Sequence, residues 1–201
     1  MPQYTPPIQN LMNLFARLPG IGMRSAERIT FHILKQTPIE ALKLAEAIQA
    51  VKTKIQHCSI CYNLTETDPC NVCADEDRDK SIVCIVEQPK DLLALEDAGQ
   101  YKGVYHVLLG RISPLEGVND SDLTIDPLMH RLEQGHIREI IMATNPTMDG
   151  DTTALHLQNI ISDRFPNVTI TRLARGLPTG SAIEHANRNM LADALAGRTR
   201  V

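Results

Sequence analysis

Cys58-Ser-Ile-Cys61 and Cys70-Asn-Val-Cys73, separated by eight residues, make up the most distinctive stretch of this chain. Each C-x-x-C pair predicts a tight knuckle, and the polar, turn-rich residues 62–69 allow the knuckles to close on one cation. Four thiolates leave no open coordination position, which is typical of structural rather than catalytic zinc. The alternatives are two disulfides or four unliganded thiols. We predict a small four-cysteine zinc ribbon at residues 57–76.

Composition indicates a protein of the reducing cytoplasm. The 201 residues contain no apolar run near the ~18 residues that span a bilayer. Residues 1–7 lack the basic and apolar regions of an export signal. The cysteines are therefore expected to be reduced or metal-bound, and Cys84, within the apolar run 82–86, to be a buried strand residue. A net charge of −4 argues against a strongly basic, stand-alone nucleic-acid binder.

The rest of the chain divides into a helical part and an alternating part. Residues 8–56 keep a helical period of apolar side chains. From residue 81 onward, short branched apolar runs alternate with helical segments. The predicted strands are 82–86, 104–109, 139–143 and 168–173, and the predicted helices are 90–98, 122–134, 152–165 and 183–195. This alternation predicts a mostly parallel sheet covered by helices on both faces.

Within the helical part, Leu18-Pro-Gly20-Ile21-Gly22 predicts a sharp hairpin that opens directly into a new helix. The unpaired backbone N–H groups at that helix start, together with the helix dipole, form an anion site that suits a DNA phosphate. Arg24 and Arg28 lie one helical turn apart and add positive charge. The alternative is that the glycines only end one helix and start the next.

Acidic side chains follow two of the predicted strands. Glu87 comes directly after the first strand, and Asp149 and Asp151 follow the third strand in the segment 143–151. Ligand sites of open α/β sheets lie at the carboxyl ends of their strands, and gathered carboxylates can hold a hydrated Mg²⁺. The alternative is that the two aspartates cap the following helix, with Asp151 expected in that role in either case.

The order of these motifs resembles the RecR family of recombination mediators. The hairpin matches a helix-hairpin-helix core residue for residue, and the four-cysteine motif, the strand ending in Glu87 and the segment 145–151 follow in the family's order. The resemblance continues through residues 105–108, 112–117, 175–180 and 195–198, and so covers essentially the whole chain.

The resemblance implies a Toprim domain from about residue 82 and a role in recombinational DNA repair. Family members act with RecO, and in some organisms RecF, to load RecA onto single-stranded DNA coated by single-strand binding protein. They assemble as dimeric or tetrameric rings or clamps around DNA. The resemblance also implies that the hairpin contacts DNA, that the four cysteines bind zinc, and that the three carboxylates already named are the Toprim acids. The implied site residues are Gly20, Ile21, Gly22, Arg24 and Arg28 for DNA; Cys58, Cys61, Cys70 and Cys73 for zinc; and Glu87, Asp149 and Asp151 for Mg²⁺ or a partner.

We therefore expect an α/β multidomain protein with four parts. These are a helix-hairpin-helix domain for DNA binding and oligomerisation at 1–56, the four-cysteine zinc finger at 57–76, a Rossmann-like Toprim domain at 80–175 and a C-terminal oligomerisation segment at 176–201. The family is regarded as a scaffold without catalytic turnover, acting at the nucleoid. A Mg²⁺-dependent Toprim nuclease and an adaptor that never touches DNA are the competing hypotheses. Toprim enzymes usually carry Asp-x-Asp-x-x-Gly, whereas Thr152-Thr-Ala154 follows Asp151 here.

Overall fold

A computed structural model describes residues 4–198 of the protein, which divide into two compact units between Ile55 and Gln56. The predicted 1–56 and 176–201 parts extend beyond this description, because residues 1–3 and 199–201 lie outside it. The start of the segment 1–7, which lacks the regions of an export signal, lies outside the description as well.

The first unit is helical, as predicted. Its helices are α1 (Pro6–Ala16), α2 (Met23–Lys35) and α3 (Pro38–Lys54). Helices α1 and α2 pack together around Met12 and Ala26, which are buried. Helix α3 starts at a capping box, in which the Thr37 hydroxyl accepts from the Glu40 amide and the Glu40 carboxylate accepts from the Thr37 amide.

Helix α3 differs from an ordinary core helix, because none of its residues is buried. Leu44, Ile48 and Val51 follow an i, i+4, i+7 spacing and therefore share one face, yet each is exposed. The helical period of this segment is confirmed, but it does not correspond to a core within the chain.

The second unit is built on a parallel four-stranded sheet. Its strands, in the spatial order β4-β3-β5-β6, are β3 (Asp79–Val86), β4 (Gly103–Val107), β5 (Glu139–Met142) and β6 (Thr169–Arg172). All neighbouring pairs are parallel, with Val83 opposite both Val104 and Ile140. All four predicted strands and the parallel arrangement are confirmed.

Helices cover both faces of this sheet. Helices α6 (Ile125–Glu133) and α7 (Met148–Arg164) pack on the face that carries Val83 and Ile85. Helix α5 (Pro89–Asp97) packs through Leu92 on the opposite face. Because side chains alternate along a strand, the run 82–86 must be apolar throughout to fill both layers.

The zinc ribbon closes one edge of the sheet. It comprises the short antiparallel strands β1 (Gln56–His57) and β2 (Leu64–Thr65) and the single-turn helix α4 (Asn71–Ala74). The Val107 amide on the edge strand β4 donates to the Cys61 carbonyl at 2.8 Å. The first knuckle thereby uses a backbone group that the sheet edge would otherwise leave unpaired.

The chain continues past β6 through a short 3-10 turn at Ile183–His185 to helix α8 (Arg188–Ala196). The predicted helix 183–195 is thus divided, because Asn187 caps α8 by accepting from the Met190 amide. Within residues 4–198 we find no helix with the length and apolar character that crossing a bilayer demands.

Candidate functional site

The four cysteines of the ribbon converge at one point. Their sulfur atoms lie within 4.8 Å of one another, and all four side chains are buried. Cys61 Sγ and Cys70 Sγ are 3.5 Å apart, far beyond a disulfide bond but close to the ~3.8 Å edge of a tetrahedron with Zn–S bonds of about 2.3 Å. The cysteines are free of disulfides.

The environment of these sulfurs explains why a cation belongs there. A hydrogen bond with Cys73 and burial raise the pKa of Cys61, and burial raises the pKa of Cys70 to about 11. Burial also opposes ionisation of Cys58, but the backbone N–H groups of Cys70, Cys61 and Ile60 outweigh it and lower the Cys58 pKa. Crowded, buried thiols become thiolates only when a metal compensates their charge, so this donor set fits structural zinc.

The hairpin of the first unit ends in an uncapped helix start. Gly20 has φ +76°, the left-handed conformation that glycine adopts without strain. Gly22 is the N-cap of α2 and offers no side chain, so the first amides of α2 have no side-chain acceptor. A Cβ built at Gly20 or Gly22 would meet no atom within 4 Å, which leaves an open backbone surface at the helix start.

Arg24 and Arg28 extend from this helix start into solvent. Both are exposed on α2, and neither forms an ion pair with any residue of the described range 4–198. By contrast Glu27, between them, accepts a hydrogen bond from the Tyr4 hydroxyl at 2.5 Å. The open amides and the two guanidinium groups together suit a chain of phosphates.

Glu87 lies at the carboxyl end of β3, as predicted, but its carboxylate is already occupied. It is 3 % exposed, and its two oxygens accept from the Asn145 backbone N–H and from the Asn145 side-chain amide, each at 2.8 Å. Glu87, Asn145 and Asp149 line a cleft of about 390 Å³ together with Arg111.

Asp149 and Asp151 both lie in the first turn of α7, which begins four residues earlier than predicted. The expectation that Asp151 caps this helix is wrong, because the Thr147 hydroxyl is the cap and accepts from the Gly150 amide at 3.1 Å. Asp149 Oδ2 accepts from Arg111 Nε at 3.3 Å. Asp151 instead pairs with Arg172 and Arg175.

The three acids are therefore not gathered as one ligand set. Glu87 and Asp149 share a cleft, but Asp151 lines a different one with Arg172. Among residues 4–198, the cysteines alone form a group of three or more potential ligands with all ligand atoms within 4.8 Å. The sequence reasoning missed Arg111, which is 38 residues from Asp149 in the chain and carries no local motif.

Comparisons with protein families match the chain in three consecutive parts. Residues 8–52 match the helix-hairpin-helix of RecR, residues 55–75 match the four-cysteine zinc finger domain of RecR, and residues 81–174 match the Toprim domain.

Relatives that are similar over nearly their whole length carry one name, "Recombination protein RecR". The protein of Rhodopirellula baltica is 53% identical over 194 residues, covering 96% of each chain. That of Pelotomaculum thermopropionicum is 47% identical over 199 residues, covering 98% of each. That of Treponema denticola is 48% identical over 193 residues, covering 96% of this chain and 98% of the relative.

Proposed function

The chain belongs to the RecR family of recombination proteins, and on this basis we propose that it is a DNA-binding mediator of recombinational repair. The observation that carries the proposal is the uncapped, open start of α2 with Arg24 and Arg28 exposed beside it. This surface contacts phosphates rather than bases, so it holds DNA of any sequence.

We propose that Gly20, Ile21 and Gly22 bring the backbone close to a phosphate and that Arg24 and Arg28 contact its neighbours. The test is fluorescence anisotropy of labelled single-stranded and duplex DNA over a salt series. Replacing both arginines, Arg24→Ala/Arg28→Ala, is expected to weaken binding at least tenfold and to reduce the salt slope by roughly 1–2, one unit or less for each lost phosphate contact.

A matched control removes the same charge elsewhere. Lys80 and Lys90 are exposed cations of the second unit, and Lys80→Ala/Lys90→Ala lowers the net charge equally. This variant is expected to bind DNA within about twofold of wild type, as screening limits long-range effects. Equal losses in both variants would mean that net charge, not the hairpin, governs binding.

We propose further that the protein works with RecO and RecF to load RecA onto single-stranded DNA coated by single-strand binding protein. Its role is that of a scaffold, and a partner that contacts the carboxyl edge of the sheet would meet Asp149 and Asp151 together with the arginines that pair with them. Addition of RecO is expected to strengthen DNA binding by wild type more than by the Arg24→Ala/Arg28→Ala variant, since the partner supplies contacts that act together with the hairpin.

The same scaffold is proposed to be a ring or clamp of two or four copies. The exposed apolar face of α3 supports this, because apolar faces of this kind are usually covered by a partner, and helix α8 likewise has no buried residue. We assign oligomerisation to residues 1–56 and 176–201, zinc binding to 57–76 and the Toprim fold to 80–175. The proposed location is the cytoplasm, at the nucleoid.

We propose that the protein has no catalytic turnover. A topoisomerase needs a tyrosine nucleophile, but the Tyr101 hydroxyl donates to the Val104 carbonyl and the Tyr105 hydroxyl donates to Glu96. Burial raises the pKa of both tyrosines. The competing function, a Mg²⁺-dependent nuclease, predicts DNA cleavage that Asp149→Asn abolishes. In the anisotropy samples, supplied with Mg²⁺, we expect DNA to stay intact.

A further inference from the structure

The Toprim fold implies a divalent cation held by acidic side chains at the carboxyl edge of the sheet, yet Asp149 and Asp151 are already paired with arginines of this chain. We infer that Arg111, Arg172 and Arg175 are resident counterions that take the place of Mg²⁺, and that Arg111 keeps divalent cations out of the cleft between Glu87 and Asp149. The inference is independent of the proposed DNA binding by the hairpin, because its test measures metal binding alone.

Backbone geometry places Arg111 at the cleft. Leu109, two residues after the end of β4, has φ +63°, a left-handed conformation that is costly for a side chain of this type. The Ile112 amide then donates to Thr153 Oγ1 at 2.9 Å, while the Thr153 hydroxyl donates to the Asp149 carbonyl. These hydrogen bonds attach the loop to the first two turns of α7, and Arg111 faces the carboxylate of Asp149.

The guanidinium of Arg111 binds two acids at once. Its Nε donates to Asp149 Oδ2 at 3.3 Å, and its terminal nitrogen donates to both carboxylate oxygens of Glu116 at 3.2 Å. The hydrogen bond to Asp149, then the charge of Glu116 and more weakly the charge of Glu87, raise the pKa of Arg111. One fixed cation therefore balances the acids of this edge, where a Toprim enzyme would place a metal ion.

Each oxygen of Glu87 already accepts one hydrogen bond, which leaves one lone pair on each for a further partner. Both of its oxygens accept from Asn145, and the first turn of α7 closes over it so tightly that a Cβ on Gly150 would lie 2.7 Å from Glu87 Oε1. Mg²⁺ demands near-ideal octahedral oxygen geometry and gives up water reluctantly. Binding of Mg²⁺ between Glu87 and Asp149 would require displacement of Arg111 from Asp149.

Asp151 pairs with arginines that lie outside the cleft between Glu87 and Asp149. Arg172, at the end of β6, and Arg175, in the segment that leads to α8, both donate to its carboxylate. Hydrogen bonds from Arg175, followed by those from Arg172, keep the pKa of Asp151 below its ordinary value. The last acid of the Toprim set thus fastens the chain after β6 to α7 and does not complete a metal shell with Glu87 and Asp149.

The test titrates zinc-loaded, full-length protein with Mn²⁺, a paramagnetic substitute for Mg²⁺, and measures free Mn²⁺ by electron paramagnetic resonance. Wild type is compared with Arg111→Gln, which removes the charge, with Asp149→Asn and with Arg111→Gln/Asp149→Asn. Arg164→Gln is the matched control, because it removes an arginine that pairs with Glu133 and lines neither of the clefts that contain the three acids. Circular dichroism and the melting temperature verify folding, and Arg111→Met replaces Arg111→Gln if the latter does not fold.

We expect wild type and Arg164→Gln to bind no stoichiometric Mn²⁺ up to about 1 mM. Arg111→Gln is expected to gain one site at least tenfold tighter than any wild-type binding, and Asp149→Asn to remove it again. One Mn²⁺ per wild-type chain, lost on Asp149→Asn, would overturn the inference. Equal behaviour of wild type and Arg111→Gln would also overturn it, because Arg111 would then not be what excludes the cation.

Discussion

His106 is an ionisable residue held neutral by its surroundings. It lies in β4 with 0 % exposure, and Nε2 is 2.8 Å from the Thr124 carbonyl, which can only accept. The proton is therefore on Nε2, and Nδ1 is buried with no partner among the described residues. A second proton on Nδ1 would place an unpaired charge in the core, and burial accordingly lowers the pKa of His106 to about 4.

This pKa predicts a loss of stability in mild acid. His106 is neutral in the folded protein down to about pH 4, whereas in the unfolded chain it takes up a proton near pH 6.5. Its contribution is complete above pH 6.5 and declines between pH 6.5 and pH 4, by about 3 kcal/mol in the free energy of unfolding. Urea titrations of wild type and His106→Gln should differ in this window.

The His106→Gln variant separates the effect of histidine protonation on stability from other effects of pH, because the glutamine amide can donate to Thr124 but does not titrate. Any acid-induced release of zinc affects both proteins, so the difference between their pH profiles reports His106. Parallel profiles from pH 7 to pH 4 would contradict the prediction.

Gly150 determines where Asp149 and Asp151 lie at the carboxyl end of the sheet. A Cβ at this position would lie 2.2 Å from the Asn145 carbonyl oxygen, well inside van der Waals contact. The backbone of α7 can therefore approach the strand end only where a glycine separates Asp149 from Asp151. The two aspartates then diverge, one toward Arg111 and one toward Arg172, because successive positions on a helix point in different directions.

Among the elements, the zinc ribbon is the one whose stability depends on a metal. We predict that Cys61→Ser loses zinc and lowers the melting temperature by about 10 °C, since a structural site contributes folding free energy of several kcal/mol. Hydrogen exchange should rise across residues 58–73 and also at the Val107 amide, whose acceptor is the Cys61 carbonyl. Zinc content is measured with a chromogenic chelator.

Cys84→Ala is the matched control for this substitution. Cys84 is buried in β3 but is not one of the converging cysteines, so the variant should retain one zinc per chain. Zinc retained by Cys61→Ser at wild-type stoichiometry, with unchanged protection of Val107, would contradict the role given to the ribbon.

The elements themselves follow closely from sequence patterns, because each pattern is local. The run 82–86 is apolar throughout since both faces of β3 are covered, and the paired C-x-x-C knuckles need only a short loop to meet. The start of α7 was misplaced because Thr147, which lies before the predicted start, is the cap. Arg111 could not be predicted, as its contact with Asp149 depends on the tertiary course of the loop after Leu109.

For the molecule as a whole, the exposed face of α3 is the feature that most needs explanation. Leu44, Ile48 and Val51 are 44 %, 57 % and 62 % exposed on a helix that buries nothing within the described chain. Exposed apolar surface of this kind is energetically unfavourable in water and marks an interaction site. A second copy of the same face would cover it with matching residues, as closed symmetric assemblies do.

We therefore predict that Leu44→Glu/Ile48→Glu lowers the oligomeric state, measured by sedimentation velocity across a concentration series. Lys43→Glu changes the net charge by the same amount on a different face of α3 and should leave assembly intact. If both behave alike, the apolar face is not the interface.

Disassembly has a consequence for DNA. A single hairpin contacts few phosphates, but two or more hairpins joined in one assembly bind the same DNA with a high effective concentration. The Leu44→Glu/Ile48→Glu variant should therefore bind long single-stranded DNA about 10–100-fold more weakly, although Arg24 and Arg28 are unchanged. Its affinity for an oligonucleotide too short to reach a second hairpin should stay near that of wild type. Equal losses of affinity for long and short DNA would instead mean that the variant damages the hairpin itself. The prediction of multivalent DNA binding would then be wrong.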